Sequence, residues 1–116
     1  MSSPQLRLNL SEGSVSFSFS PEAAQALKAE LAVLMQRLKA VAQSGGKPGS
    51  QTPQQPIEYR YVGDVVLEVF CNPNIWPTPF AAKVLLTLRD PQIRLSVEAG
   101  LTQISEDLEQ FIEQYC

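Results

Sequence analysis

Apolar and polar residues alternate with a period of two at the start of the chain. Leu6, Leu8 and Leu10 are separated by Arg7 and Asn9; after the polar "SEGS", Val15, Phe17 and Phe19 alternate with serines. A period of two puts one set of side chains on one side of a strand, so this region predicts a β-hairpin with a single apolar face. Ser20, Pro21 and Glu22 then supply an N-cap, a proline for the first helical position and an acid at the positive end of the helix dipole. From Pro21 to about Gln43 the period lengthens: Leu27, Leu31, Leu34, Leu38 and Val41 form one stripe, widened by Met35, Ala23 and Ala24, before Ser44, Gly45 and Gly46 stop it. The stripe predicts an amphipathic helix lying on a sheet; a coiled-coil seam is the alternative, but it calls for a longer apolar repeat.

Ser44 to Pro56, "SGGKPGSQTPQQP", contains no large apolar residue and predicts a flexible loop over 44–56, because nothing in it offsets the entropy of ordering. The alternative is a proline-rich ligand for a partner groove, although the stretch lacks the paired PxxP pattern and flanking basic residues such motifs use. Period two then returns. Ile57, Tyr59 and Tyr61 alternate with Glu58 and Arg60, Gly63-Asp64 suits a two-residue turn, and "VVLEVF" (Val65 to Phe70) reads as a central strand covered on both faces or nearly so. Val84, Leu86 and Leu88 pair as a further hairpin with Ile93, Leu95 and Val97 across "DPQ". Leu101, Ile104, Leu108, Phe111 and Tyr115 close the chain as a second amphipathic helix, whose outer face is expected to carry Glu106, Asp107, Glu109 and Glu113. The order predicts an α+β fold, an antiparallel β-sheet with two amphipathic helices packed on one face, in a single domain over 1–116.

Composition narrows the function. With 116 residues the chain builds one core, and a net charge of −3 with nine scattered basic residues argues against a phosphate-binding surface, hence against nucleic acid. The apolar runs fall far short of the roughly 20 residues that cross a bilayer, and "MSSPQLRLNL" lacks the basic end and apolar stretch of a secretory signal. A cytoplasmic protein is therefore expected, with Cys71 and Cys116 kept as thiols rather than joined. There is no His, which removes the commonest general base and metal ligand, and no glycine-rich phosphate loop or CxxC pattern. No cofactor, metal or catalytic residue is expected. Glu68 interrupts an apolar strand and calls for a partner such as Arg60 or Lys83, a structural pair before a catalytic acid.

The segment "CNPNIWPTPF", Cys71 to Phe80, holds the single Trp among three prolines. Each proline fixes φ and restricts the residue before it, so the segment is stiff. Two uses follow from stiffness: Trp76 folds back as core, or it stands out as an anchor already in its bound conformation. In the second case Asn72, Asn74, Ile75, Trp76 and Phe80 are the candidate partner-binding residues. "LEVFCNPNIWPTPFAAKVLLTLRDPQIRLSVEAGLTQI", Leu67 to Ile104, resembles a family of short cyanobacterial proteins across the C-terminal two-thirds of the chain. The resemblance implies an accessory role in the cytoplasm of a photosynthetic bacterium and brings no catalytic residue with it.

The function expected from these features is a non-catalytic protein-interaction or adaptor domain that uses the proline segment, with the open sheet face, to hold a protein partner. The alternative is a small-ligand binder with an apolar pocket between sheet and helices and polar contacts from Tyr59, Tyr61 or Arg60. An enzyme ranks third. Self-association through an uncovered sheet edge or face is compatible with either leading reading.

Overall fold

In the computed structural model, residues 4–43 and 53–116 are described. The chain runs β1 (Gln5–Leu10), β2 (Gly13–Ser18), α1 (Pro21–Gln43), β3 (Ile57–Val62), β4 (Val66–Cys71), a short 3₁₀ turn (Pro73–Ile75), β5 (Lys83–Arg89), β6 (Arg94–Gly100) and α2 (Leu101–Tyr115). The fold is α+β, as the pattern predicts. Most of the expected loop 44–56, namely 44–52, lies outside the described residues.

β3, β4, β5 and β6 form one antiparallel sheet in that order. Register sorts every side chain to a face. Tyr59, Val69, Leu86 and Val97 lie across one row and Ile57, Cys71, Val84 and Ala99 across another, all on the side that meets α1 and α2. From the helices, Leu27, Leu31, Leu34 and Leu38 of α1 and Leu101, Ile104, Leu108 and Phe111 of α2 complete the same core. Ser20 caps α1 as its position suggests, its Oγ accepting from the Ala23 N–H at 3.0 Å. α2 has no such side-chain cap; the Leu101 N–H donates instead to the Ala82 carbonyl at 3.0 Å. No helix among the described residues is long and apolar enough to cross a membrane.

Several local expectations are corrected. The hairpin β1–β2 forms, with Leu6 opposite Phe17, but it makes a two-stranded ladder of its own instead of joining the larger sheet. It lies on the helix side, against α2 and β6. The reason is visible at Asn9, whose backbone N–H points away from β2 and is taken by a side chain, Asp107 of α2, at 2.7 Å. A carboxylate thus occupies the ladder position that another strand would need. Asp107, expected on the acidic outer face, is consequently only 4% exposed.

The link between β3 and β4 is three residues long, Gly63 to Val65, because Val62 pairs with Val66. The Gly63 N–H donates to the Val65 carbonyl at 3.0 Å, and the Tyr61 ring covers Gly63 so closely that an added Cβ would stand 2.6 Å from its Cζ. Nor is the central strand covered on both faces. Leu67, Val69 and Cys71 are buried, whereas Phe70 on the opposite face is 40% exposed, since both helices and the hairpin cover one side only. Glu68, also on the open face, pairs with Arg89 of β5 at 3.5 Å, not with Arg60 or Lys83. Ile93 precedes β6 and is 68% exposed in the turn, where Asp90 accepts from the N–H groups of Gln92 (2.7 Å) and Ile93 (2.9 Å). Those two bonds to the ionised form hold its carboxyl below the ordinary range.

Candidate functional site

The proline segment leaves the end of β4 and is fixed by its own asparagines. Asn72 keeps an extended backbone (φ −96°, ψ 109°) and its Oδ1 accepts from the Asn74 N–H at 3.0 Å, which starts the 3₁₀ turn. The Asn74 side chain then pairs with the Gln54 backbone in both directions, Oδ1 accepting from its N–H at 2.8 Å and Nδ2 donating to its carbonyl at 2.7 Å. An amide side chain here imitates a neighbouring strand. Arg37 of α1 donates to the carbonyls of Gln55 (2.9 Å) and Pro56 (3.3 Å), so the residues entering β3 are tied both to the helix and to the turn. Pro73 is buried.

Trp76 packs half-buried against the core and lines one groove with Cys71. Burial pushes the Cys71 thiol up, and the nearby Trp76 side chain offsets part of that. Cys71 and Cys116 are both free. Beyond Trp76 the chain turns again: the Ala81 N–H donates to the Thr78 carbonyl and the Ala82 N–H to that of Pro79. Phe80 stands at the tip of this turn, 85% exposed, and Ile75 is 65% exposed.

Of the five candidate residues, the fold therefore gathers Asn72, Asn74, Ile75 and Trp76 around one turn, sets Phe80 at the tip of the next, and gives them different tasks. Asn72 and Asn74 spend their amides inside the chain, Trp76 is anchored, and Ile75 and Phe80 face solvent. On the open sheet face, Ile75 shares a groove with Phe70 and Leu85, a directly opposed cross-strand pair, 40% and 43% exposed. This pair is a ridge between two grooves. One, of about 390 Å³, runs from Phe70 and Leu85 to Ile75, Trp76 and Lys83; the other, of about 480 Å³, crosses the face beside Arg60 and Glu68. Sequence reading did not single out Phe70 or Leu85. The signal lies in the phase, since each is one step out of register with the buried positions on its own strand.

The residues proposed for a small ligand do not converge. Arg60 points to the open face, while Tyr59 and Tyr61 point to the helix side. The Tyr59 hydroxyl is already used, donating to the Ala23 carbonyl of α1 at 3.2 Å, and Tyr61 packs edge-on to Phe19 with ring centroids 4.7 Å apart. Burial, assisted by nearby Tyr61, pushes the Tyr59 phenol from 10.0 up to about 12. A phenol whose folded pKa exceeds its unfolded value lends stability that is complete below the unfolded value and is lost as pH rises through the folded one. Between pH 10 and 12 the fold is thus expected to lose about 2 kcal/mol through this group. Denaturant melts across that range, compared with Tyr59→Phe, check it: the wild type should show a steeper alkaline decline, and parallel curves would refute the assignment.

Among the described residues, no group of three or more Cys, Asp or Glu comes together to hold a metal ion. No protein-family model, curated protein or solved structure matches this chain.

Proposed function

We propose that the protein is a non-catalytic protein-interaction domain, a cytoplasmic accessory or adaptor factor, whose contact surface is the proline segment together with the open face of the four-stranded sheet. The observation that carries this reading is the display of Ile75 on a turn held by Asn72, Asn74 and buried Pro73, and of Phe80 at the tip of the turn closed by the Ala81 and Ala82 N–H groups. Large apolar side chains in solvent are ordinary when scattered; set on hydrogen-bonded turns, with Ile75 in one groove with Phe70 and Leu85, they form a surface that loses little entropy on binding. Aromatic anchors of this kind carry most of the energy in known interfaces.

The residues on the exposed side of this segment separate binding from folding. In Ile75→Ala/Phe80→Ala, two side chains that are 65% and 85% exposed are truncated, so stability should stay within about 0.5 kcal/mol of wild type. Recovery of protein partners on a tagged bait from cells of the source organism should fall by at least tenfold, the loss of one modest anchor of ~1.4 kcal/mol or more. Equal recovery by the folded variant and the wild type would remove this surface from consideration.

A further inference from the structure

The four-stranded sheet ends in β6, and the pairing with β5 decides which of its backbone groups are used. At the two ends of that ladder the Asp90 N–H donates to the Ile93 carbonyl at 2.9 Å and the Leu101 N–H to the Ala82 carbonyl at 3.0 Å. Bonded and non-bonded pairs alternate along an antiparallel ladder, so Leu95, Val97 and Ala99, in phase with those two bonds, turn their backbone groups toward β5. Arg94, Ser96 and Glu98 turn theirs outward, and no other described residue takes them. The strand has no proline, and its register with β5 runs without a bulge from Lys83↔Gly100 to Arg89↔Arg94. Two of the devices that close a sheet edge are thus missing from this one.

Beside the edge lies a groove of about 430 Å³. One wall is the hairpin turn, from Leu10 to Val15; the other is β6, through Leu95 and Val97 of its helix-side face and Glu98 of the opposite face. Both faces of one strand line the groove, so it follows the outer edge of that strand. Leu95, 38% exposed, and half-buried Val97 give it an apolar floor, with half-buried Leu10 and Val15 across from them.

We propose that β6 takes up an extended segment of a protein partner as a further antiparallel strand, one that reads basic, apolar, small polar, apolar, acidic. This contact surface is separate from the proline segment and does not depend on it. Main-chain bonds to Arg94, Ser96 and Glu98 give such a segment affinity, and alternate side chains give the choice of sequence. Side chains opposite Leu95 and Val97 enter the groove and are therefore apolar. Those opposite Arg94 and Glu98 stand on the open face. Arg94 and Glu98 are exposed and have no ionic partner among the described residues, whose ion pairs are Lys28–Glu109 and Glu68–Arg89. Opposite charges across a ladder stabilise it and like charges destabilise it, which calls for an acid opposite Arg94 and a base opposite Glu98. A second copy would offer a matching charge order in its own β6, but it would also bring its own hairpin turn, with Glu12, to the slot that this turn already walls. A bare extended segment carries no such layer.

Amide chemical shifts of the isotope-labelled protein, titrated to millimolar with the end-blocked peptide Lys-Val-Thr-Leu-Glu, test this. The amides of residues 94–98 and of the hairpin turn should shift. The wild type should prefer this peptide to Lys-Val-Thr-Leu-Lys by about fivefold, although the chain is net negative, and Arg94→Glu should reverse the preference. Ser96→Pro removes an outward N–H and none that bonds β5, a place where an edge strand accepts proline. With its fold checked by circular dichroism, that variant should bind the peptide about fivefold more weakly. No shift at 94–98, equal affinity of the wild type for the two peptides, or undiminished binding by folded Ser96→Pro overturns the proposal. So does a shift of the same amides on raising the protein concentration alone, which would give the edge to a second copy.

Discussion

Phe19→Ala is expected to cost about 4–5 kcal/mol of folding stability, the largest effect of any single substitution considered for this chain. Phe19 is 3% exposed and follows β2 directly, one residue before the helix cap Ser20. Its ring meets three others edge-on or nearly so: Phe17 at 5.7 Å, Tyr61 at 4.7 Å and Phe111 at 6.0 Å. Those rings belong to the hairpin, to β3 and to α2, so one side chain connects the small ladder, the large sheet and the closing helix. Truncation opens a cavity where the three meet, and the hairpin, short and two-stranded, has little of its own to hold it in place. Phe19→Leu fills much of the volume without the ring contacts and should cost about half as much. Urea denaturation followed by far-UV dichroism reads both, with an unchanged m-value required for the comparison. A loss below about 2 kcal/mol for Phe19→Ala would mean that the hairpin is a loose appendage and that the core closes without it.

The helices were the most legible part of the chain, and the reason is redundancy. At α1, the cap Ser20, Pro21, Glu22 and the leucine stripe all point to one boundary, and the helix spans Pro21–Gln43 accordingly. Strand positions were legible for a similar reason: the period-two runs at Leu6–Leu10 and Val84–Leu88 sort cleanly into buried and open faces. "VVLEVF" was misleading because two of its three open-face members, Val66 and Phe70, are as apolar as its buried ones. Composition there conceals phase, and only the pairing of Phe70 with Leu85 and of Glu68 with Thr87 exposes it. The division into two ladders was illegible for a different reason: it depends on a contact between Asn9 and Asp107, 98 residues apart in the chain.

At the candidate site, stiffness could be read from Pro73, Pro77 and Pro79, but the allocation of roles could not. Asn72 and Asn74 were candidates for binding as part of the stiff segment; the fold engages them within the chain instead, Asn72 accepting from the Asn74 N–H and Asn74 pairing with the Gln54 backbone. Trp76 and Phe80 looked equivalent as aromatics among prolines. They differ because a thiol and the core lie within reach of Trp76, while Phe80 sits where the chain reverses before Lys83.

Asp107→Ala should cost about 3 kcal/mol, the second large effect, although the residue sits in a sequence of exposed acids. Its carboxylate accepts three hydrogen bonds: from the Asn9 N–H at 2.7 Å, from Asn9 Nδ2 at 2.9 Å and from Gln103 Nε2 at 2.9 Å. Position 107 stands three residues after Ile104 and four before Phe111, on the flank of the buried stripe, which is why the helix carries it inward. Removing the acceptor strands a backbone donor of β1 between a strand and a helix, where water replaces the lost partner poorly. Asp107→Asn keeps one accepting oxygen but sets an N–H₂ group toward other donors, so roughly half of the loss, about 1–2 kcal/mol, is expected to remain. Glu106→Ala, one position away on the exposed side, is the control and should stay within about 0.5 kcal/mol of wild type. Should Asp107→Ala and Glu106→Ala denature together, the bond to Asn9 would contribute nothing and something else would have to keep β1 apart from the larger sheet. If they separate as expected, the edge of β1 is held by one carboxylate, and the Asp107→Ala protein should also associate more readily at high concentration, because an unpaired strand edge has then been opened to a neighbour.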